Sequence, residues 1–201
     1  MPHPKHATTD HDVLDLIRER WSPRAYDATR AIPERELWRL FEAARWTPSS
    51  RNEQPWRFIV VDRIAHADVH AALVTTLSAG NQAWAPLAPV LIVVAAKMTV
   101  GGAGDANRHA FYDTGQAVAY LTLQAQSQGL ASRQMEGFDR VRTQAICLVP
   151  ADYDLVALIA LGYPGSPDAL PNEKHRQSEL TPRTRRPAAD FVYGGTWGTP
   201  A

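Results

Sequence analysis

Residues Val90 to Ala96 read VLIVVAA, an unbroken apolar run directly behind Pro89. A strand sends alternate side chains to opposite faces, so a strand apolar at every position must be covered on both. The rest of the chain therefore has to supply a layer on each side of a sheet. DLVALIALGY, Asp154 to Tyr163, repeats the demand, and RFIVVD, Arg57 to Asp62, adds a shorter β-branched strand. Helical spacing supplies the layers. DHDVLDLIRER places Val13, Leu16 and Ile17 on one face, with Asp10 or Asp12 as N-cap. A second helix starts near Pro33, carries Leu37, Leu40, Phe41 and Ala44 as its stripe, and stops before Thr47-Pro48. Further helices are predicted over His66 to Leu77, over HAFYDTGQAVAYLTLQAQSQG with Gly129 as its C′ residue, and over Phe138 to Cys147. Gly115 interrupts the long helix at a cost of about 1 kcal/mol relative to Ala, which implies close approach of another helix or a ligand. Met1 to Thr9 reads as a loose tail, Thr99 to Arg108 as a flexible glycine-bearing loop, and the chain beyond Gly162 as loop ending in an arm, Pro182 to Ala201. These elements predict one α+β domain over residues 1–201, helices packed on a small sheet.

A chain of 201 residues can bury a core without staples, and its single cysteine forbids an internal disulfide. That residue, Cys147, sits in TQAICLVP and is expected to be a buried structural thiol. Lys+Arg and Asp+Glu are both 21, so the net charge is zero, which argues against a protein built to grip nucleic acid or an anionic membrane. No close Cys/His cluster has metal-ligand spacing. The stretch Ala85 to Met98 holds two prolines and a lysine and is too short to span a bilayer, and MPHPKHATTDHD lacks the apolar run of a secretory signal. The cytoplasm is the expected location. Phosphate and acyl-transfer fingerprints are missing too: there is no GxGxxG, P-loop or GxSxG, and GGAG at Gly101 to Gly104 has the wrong glycine spacing.

Three segments carry the remaining chemistry. In RERWSPRAYD, Arg20, Ser22 and Arg24 alternate where the chain leaves a helix. Extended backbone would turn all three toward one anionic ligand, though arginines at a helix C-terminus are also favoured by the dipole. In ARWTPSSRNEQPWRFIVV, two prolines bracket Ser49, Ser50, Asn52 and Gln54 directly before a strand, as a rigid binding loop or a structural turn would. In ELTPRTRRPAADFV, Arg183, Arg185 and Arg186 form either a solvated run or a set of forks matched to phosphate oxygens.

In this order the segments resemble the FMN-dependent nitroreductase family, from about Val13 to Gly198: the RxSxR of Arg20, Ser22 and Arg24, AARWTPSSRNEQPW, YDTGQAVAYLTLQAQSQGL, QMEGFD and PRTRRP. The resemblance implies a nitroreductase-like α/β sandwich of the α+β class, a small central mixed and mostly antiparallel sheet flanked by helices, and an intertwined homodimer with FMN at the interface. It implies that Arg20, Arg183 and Arg185 hold the FMN phosphate, that Ser22 meets the ribityl or phosphate end, and that Arg24 lies at the N1/O2 edge. Pro48, Ser49, Ser50 and Asn52 would come from the partner chain. Asn81 would bond the pyrimidine edge, and the Gln134, Met135, Glu136, Gly137 segment would bring backbone N–H groups of Glu136 and Gly137 toward N5 and O4. Arg24, Glu136 and Gly137 are thus the candidate catalytic residues. Trp84 stands where some members carry a lysine near the flavin.

The implied activity is transfer of hydride from NAD(P)H through the flavin to a small electron-poor substrate, in ping-pong order. The same scaffold also serves flavin reductases, quinone or enone reductases, reductive dehalogenases and flavin-modifying enzymes. A redox-inert FMN carrier or sensor is the alternative from another class. The flavin supplies the hard chemistry and the protein orients and tunes it, so no dinucleotide fold is required.

Overall fold

The computed structural model describes residues 3–101 and 104–201. Met1 and Pro2 of the predicted tail, and Gly102 and Ala103 of the predicted loop, lie outside the described residues. In chain order the elements are α1 (Asp15–Glu19), α2 (Glu34–Arg45), β1 (Trp56–Asp62), α3 (Ala67–Thr76), α4 (Ala79–Gln82), β2 (Val90–Lys97), β3 (Thr99–Val100), β4 (Asp105–Ala106), α5 (Ala110–Ser127), β5 (Ala131–Met135), α6 (Arg140–Ile146), β6 (Tyr153–Gly162) and α7 (Glu173–Leu180).

The main sheet has the order β1-β2-β6-β5, and every neighbouring pair is antiparallel. The expected mixed sheet is thus antiparallel throughout. Its two central strands are the two apolar runs, and every residue from Val90 to Ala96 is buried. Strand alternation divides them between two cores. Leu91, Val93, Ala95, Leu158 and Ala160 face one side with Leu73, Trp84 and Tyr26. Val90, Ile92, Val94, Ile159 and Leu161 face the other with Leu40 and Ala44 of α2 and Ala117 and Leu121 of α5. Gly129 takes φ +72 just past α5, the left-handed position that ends a helix.

The structure departs from the sequence reading in five places. α1 has five residues, and no acidic side chain caps it. Its predicted apolar face is only partly covered among the described residues: Leu16 is half-buried, and Val13 and Ile17 are exposed. ASRQM forms the edge strand β5 despite its polar composition, since β6 offers it a full ladder from Gly162 to Leu158. Thr99 to Arg108 contains the two-residue pairing of β3 with β4. Beyond Gly162 a further helix, α7, forms behind Asn172, whose side chain accepts from the Lys174 N–H as an N-cap. The tail also packs: Lys5 is buried, the Ala7 N–H donates to the Arg18 carbonyl, and His3 stacks on Trp21.

One short crossing fixes the segment after α1. The Asp27 N–H donates to the Tyr163 carbonyl and the Gly165 N–H to the Ala25 carbonyl, at 2.9 and 3.0 Å. A Cβ at Gly165 would fall 2.5 Å from the Tyr26 carbonyl carbon, so only glycine permits this approach. The chain that leaves α1 is thereby pinned to the end of the central strand β6.

Candidate functional site

Arg20 leaves α1 with φ −59 and ψ 129, an extended conformation. Extension turns Arg20, Ser22 and Arg24 to one side, and all three line a cavity of about 240 Å³. Arg183 and Arg185, more than 150 residues later in the sequence, line the same cavity. The structure therefore brings together the two arginine segments singled out in the sequence. Arg186, the third arginine of the late cluster, is exposed and is not among the lining residues.

The cations form two groups. Arg20, Arg183 and Arg185 lie close enough for their charges to act on one another. Burial, with the Arg185 charge beside it, lowers the pKa of the Arg20 guanidinium. Arg183 is lowered by burial and by Arg20 and Arg185. Among the described residues none of the three forms a salt bridge. Their hydrogen bonds go to neutral groups: Arg20 Nη1 donates to Ser22 Oγ at 3.1 Å, Arg183 Nε to the Lys5 carbonyl at 2.7 Å, and Arg185 Nη1 to the Thr184 carbonyl at 2.8 Å. A cluster of like charges held by neutral partners has the charge and donor groups to hold an anion.

The second group contains a carboxylate. Glu179 of α7 is 1% exposed. It accepts from the backbone N–H groups of Arg24, at 3.1 and 3.2 Å, and of Ala25, at 3.3 Å. Its Oε1 also lies 3.8 Å from Arg24 Nη1, which donates to Ser178 Oγ at 3.1 Å. Arg133 of β5 completes the group. Its Nη1 donates to the Ser22 carbonyl and its guanidinium sits 5.4 Å from the centre of the Trp84 ring. Burial, then the Arg24 charge, lowers its pKa.

Arg133, Glu179 and Lys5, which also lines the cavity, escaped the sequence reading. The N-cap Asn172 and the first-turn Glu173 were a usable signal for α7, but nothing local marks Glu179 as buried.

Four residues on from Arg133, the turn after β5 meets α4. The Gly137 carbonyl accepts from the Ser78 N–H at 2.8 Å and from Asn81 Nδ2 at 3.3 Å. A Cβ at Gly137 would fall 2.9 Å from Ser78 Oγ. Asn81 and Gly137, assigned separately from sequence, thus adjoin. Glu136 is exposed and pairs with Arg140 at 3.3 Å, leaving its backbone as its contribution to the turn. Met135 is 3% exposed, so its side chain belongs to the core, and Gln134 points outward. Trp84 is 1% exposed, a core residue that carries Arg133.

Pro48, Ser49, Ser50 and Asn52 do not join the arginine cavity. Ser50 instead lines a recess of about 410 Å³ with Arg51, Asn107, Arg108 and His109, beside the predicted loop. The Ser50 N–H donates to Oδ2 of Asp113, a buried residue of α5, at 3.0 Å, and Ser49 Oγ accepts from the Gln54 N–H at 3.1 Å. Arg51, Asn52 and Gln54 all take positive φ, 52, 58 and 47, a costly conformation for residues other than glycine. Cys147 is half-buried, and desolvation raises its pKa, which disfavours the reactive thiolate. No helix among the described residues is long and apolar enough to cross a membrane.

A helix-flanked antiparallel sheet with an arginine-lined cavity beside its edge strand places the protein in the α+β class. Within that class the chain belongs to the nitroreductase family, whose sequence profile matches residues 17–163. A crystal structure of an oxidoreductase containing FMN is similar at a TM-score of 0.87 and 29% identity, over 96% of each chain. An NADH dehydrogenase of Thermus thermophilus is 30% identical over 184 residues, 76% of this chain and 87% of the relative. Protein DrgA of a Synechocystis species is 28% identical over 180 residues, 75% and 83% of the two chains.

Proposed function

We propose that the protein is an FMN-dependent oxidoreductase that uses NAD(P)H to reduce a small electron-poor acceptor (nitroaromatic, quinone, enone or flavin), working as a homodimer with FMN at the interface. The observation that carries this reading is the group Arg20, Arg183 and Arg185, gathered in one cavity with no carboxylate partner among the described residues. Its donor set fits a phosphate dianion. Asn81 and Gly137 adjoin, as two residues serving one flavin edge should. The FMN-containing structure and the NADH dehydrogenase relative support the same cofactor and donor.

When bound, FMN supplies the two-electron chemistry, taking hydride from NAD(P)H and passing it to an acceptor that follows in the same place. The residues of the chain bind and orient. Three charge-assisted guanidinium contacts to the phosphate are worth about 1.5–3 kcal/mol each. Ser22 would meet the ribityl or phosphate end, and Arg24, tethered by Ser178 and Glu179, would hold a fixed charge for the N1/O2 edge. Asn81 would meet the pyrimidine edge, and the N–H groups of Glu136 and Gly137 would serve N5 and O4.

Pro48, Ser49, Ser50 and Asn52 would serve the partner's flavin. Two features support the dimer. α1, the two residues before it and α5 expose Val13, Leu14, Ile17, Phe111, Tyr112 and Tyr120. A Cβ at Gly115 would meet no atom of the described residues within 4 Å outside its own turn of helix, so no packing contact among them calls for that glycine. Such a dimer should bury more than about 2,000 Å².

The test is direct. The purified protein should be yellow and release FMN on denaturation, and NADH or NADPH should bleach it. It should run as a dimer in light scattering. A colourless protein that takes up no added FMN overturns the reading. Bound FMN that neither nicotinamide reduces would leave a carrier, and an FMN-loaded monomer at micromolar concentration would overturn the interface.

A further inference from the structure

The two groups of cations in the cavity differ in what they leave unbalanced. Around Arg20, Arg183 and Arg185 the missing counter-charge is that of a phosphate. Beside Glu179, which pairs with Arg24, stands a second guanidinium, Arg133, with no salt bridge among the described residues, and the remainder is positive. Arg133 is poorly placed to be a solvated surface charge. It projects from the edge strand onto the Trp84 ring, donates to the Ser22 carbonyl, and lines the cavity beside Arg24. A desolvated cation stacked on an indole is fixed in direction as well as in charge. Keeping two such cations together is costly unless a further electron-rich group completes the site.

We infer that Arg133 is a second cation for the electron-rich edge of the bound flavin, acting with Arg24 and held in place by Trp84 and the Ser22 carbonyl. This rests on the proposed function and deepens it, because no sequence motif of the site includes Arg133. Hydride transfer moves two electrons and one proton from NAD(P)H, leaving NAD(P)+ and one added negative charge on the flavin. A cation fixed in the cavity before that charge arrives favours the reduced over the oxidised cofactor without rearranging. Arg133 therefore sets the flavin's potential more than its affinity.

The experiment compares FMN-loaded wild type with Arg133→Gln, Arg133→Met and Arg133→Lys by redox titration, with FMN affinity measured in parallel. Arg133→Gln removes the charge. Arg133→Met also retains an apolar stem over Trp84, should the glutamine variant fail to fold. Both should lower the two-electron midpoint potential by about 30 mV, a tenfold loss in reducibility, while FMN affinity changes by less than about tenfold. Arg133→Lys should stay within about 14 mV of wild type, a threefold change. A purely structural Arg133 would lower thermal stability or FMN affinity in all three variants and leave the potential of the loaded protein unmoved, and that result would overturn the assignment. A wild-type protein that takes up no FMN would instead bring down the proposed function and this inference with it.

Discussion

The arginine cavity and the Pro48 to Gln54 loop are built in opposite ways. The cavity gathers residues from the N-terminal segment, the stretch after α1, strand β5 and the region from α7 to Arg185, and closes them around one space within a single chain. The loop is local: its contacts run to its own neighbours and to Asp113, and it opens onto a different recess. The cavity has surplus charge and little strain. The loop has three left-handed residues and a buried Thr47 hydroxyl without a partner among the described residues. One region is assembled from distant segments of the chain and the other from neighbours and one α5 side chain; under the proposed function the first would hold the phosphate end of its own flavin and the second would serve the partner's.

The largest expected effect separates the two regions by attacking the cavity alone. Arg183→Ala with Arg185→Ala should weaken FMN binding by about 3 kcal/mol or more, over a hundredfold, and leave the much weaker binding of riboflavin nearly unchanged. Isothermal titration with both flavins checks this, and equal wild-type affinity for the two would remove the phosphate role. Next, Gly165→Ala should cost stability by up to about 3 kcal/mol, because the added carbon meets backbone that cannot rotate away. In urea titration its midpoint should fall, and the variant that still folds should lose FMN before it loses helicity. An unchanged midpoint would mean that the crossing under the cavity yields freely.

The loop is the target of Asp113→Ala, which frees the Ser50 N–H. About tenfold weaker FMN binding is expected, near 1.4 kcal/mol, with little change in the riboflavin-to-FMN ratio. If the ratio collapses as in the arginine variant, loop and cavity are a single unit and the contrast fails. The smallest effect lies away from both. His70 is 4% exposed, and burial lowers its pKa. A lowered pKa means the unfolded state binds the proton more readily, so the contribution of His70 is present above about pH 6.5 and is lost as pH falls through its folded pKa. The Tm should drop between pH 7.5 and 5.5, and the drop should shrink in His70→Gln. An identical pH profile in the variant would assign the acid loss elsewhere.

How much of this was legible in the sequence follows from the kind of force each element uses. β2 and β6 announce themselves because burial on both faces requires an unbroken apolar run. α2 is legible from its stripe, and α5 from its length and Gly129. RxSxR was readable as geometry, since alternation in an extended segment needs no tertiary knowledge. β5 and α7 were missed for the converse reason. ASRQM is held by its ladder to β6, and EKHRQSEL is anchored by a buried carboxylate that binds backbone N–H groups 155 residues away. Hydrophobic periodicity registers neither. Arg133 and Glu179 fell out of sight with their elements, although they shape the charge of the cavity as much as the arginines that the motifs marked.

The embrace of Arg24 and Ala25 by Glu179 has a consequence for the order in which the molecule can be made. A ribosome releases the central strands and the helices that cover them well before residue 179, so the sheet can pack while the ligand cavity is still missing a wall. Only when α7 and Arg185 emerge do the Arg24 and Ala25 N–H groups gain the Glu179 carboxylate and the arginine cavity its last wall. Under the proposed function, loading with cofactor would thus be a late event in biogenesis, and a chain shortened before Glu173 would lack Glu179, Arg183 and Arg185 from the cavity wall.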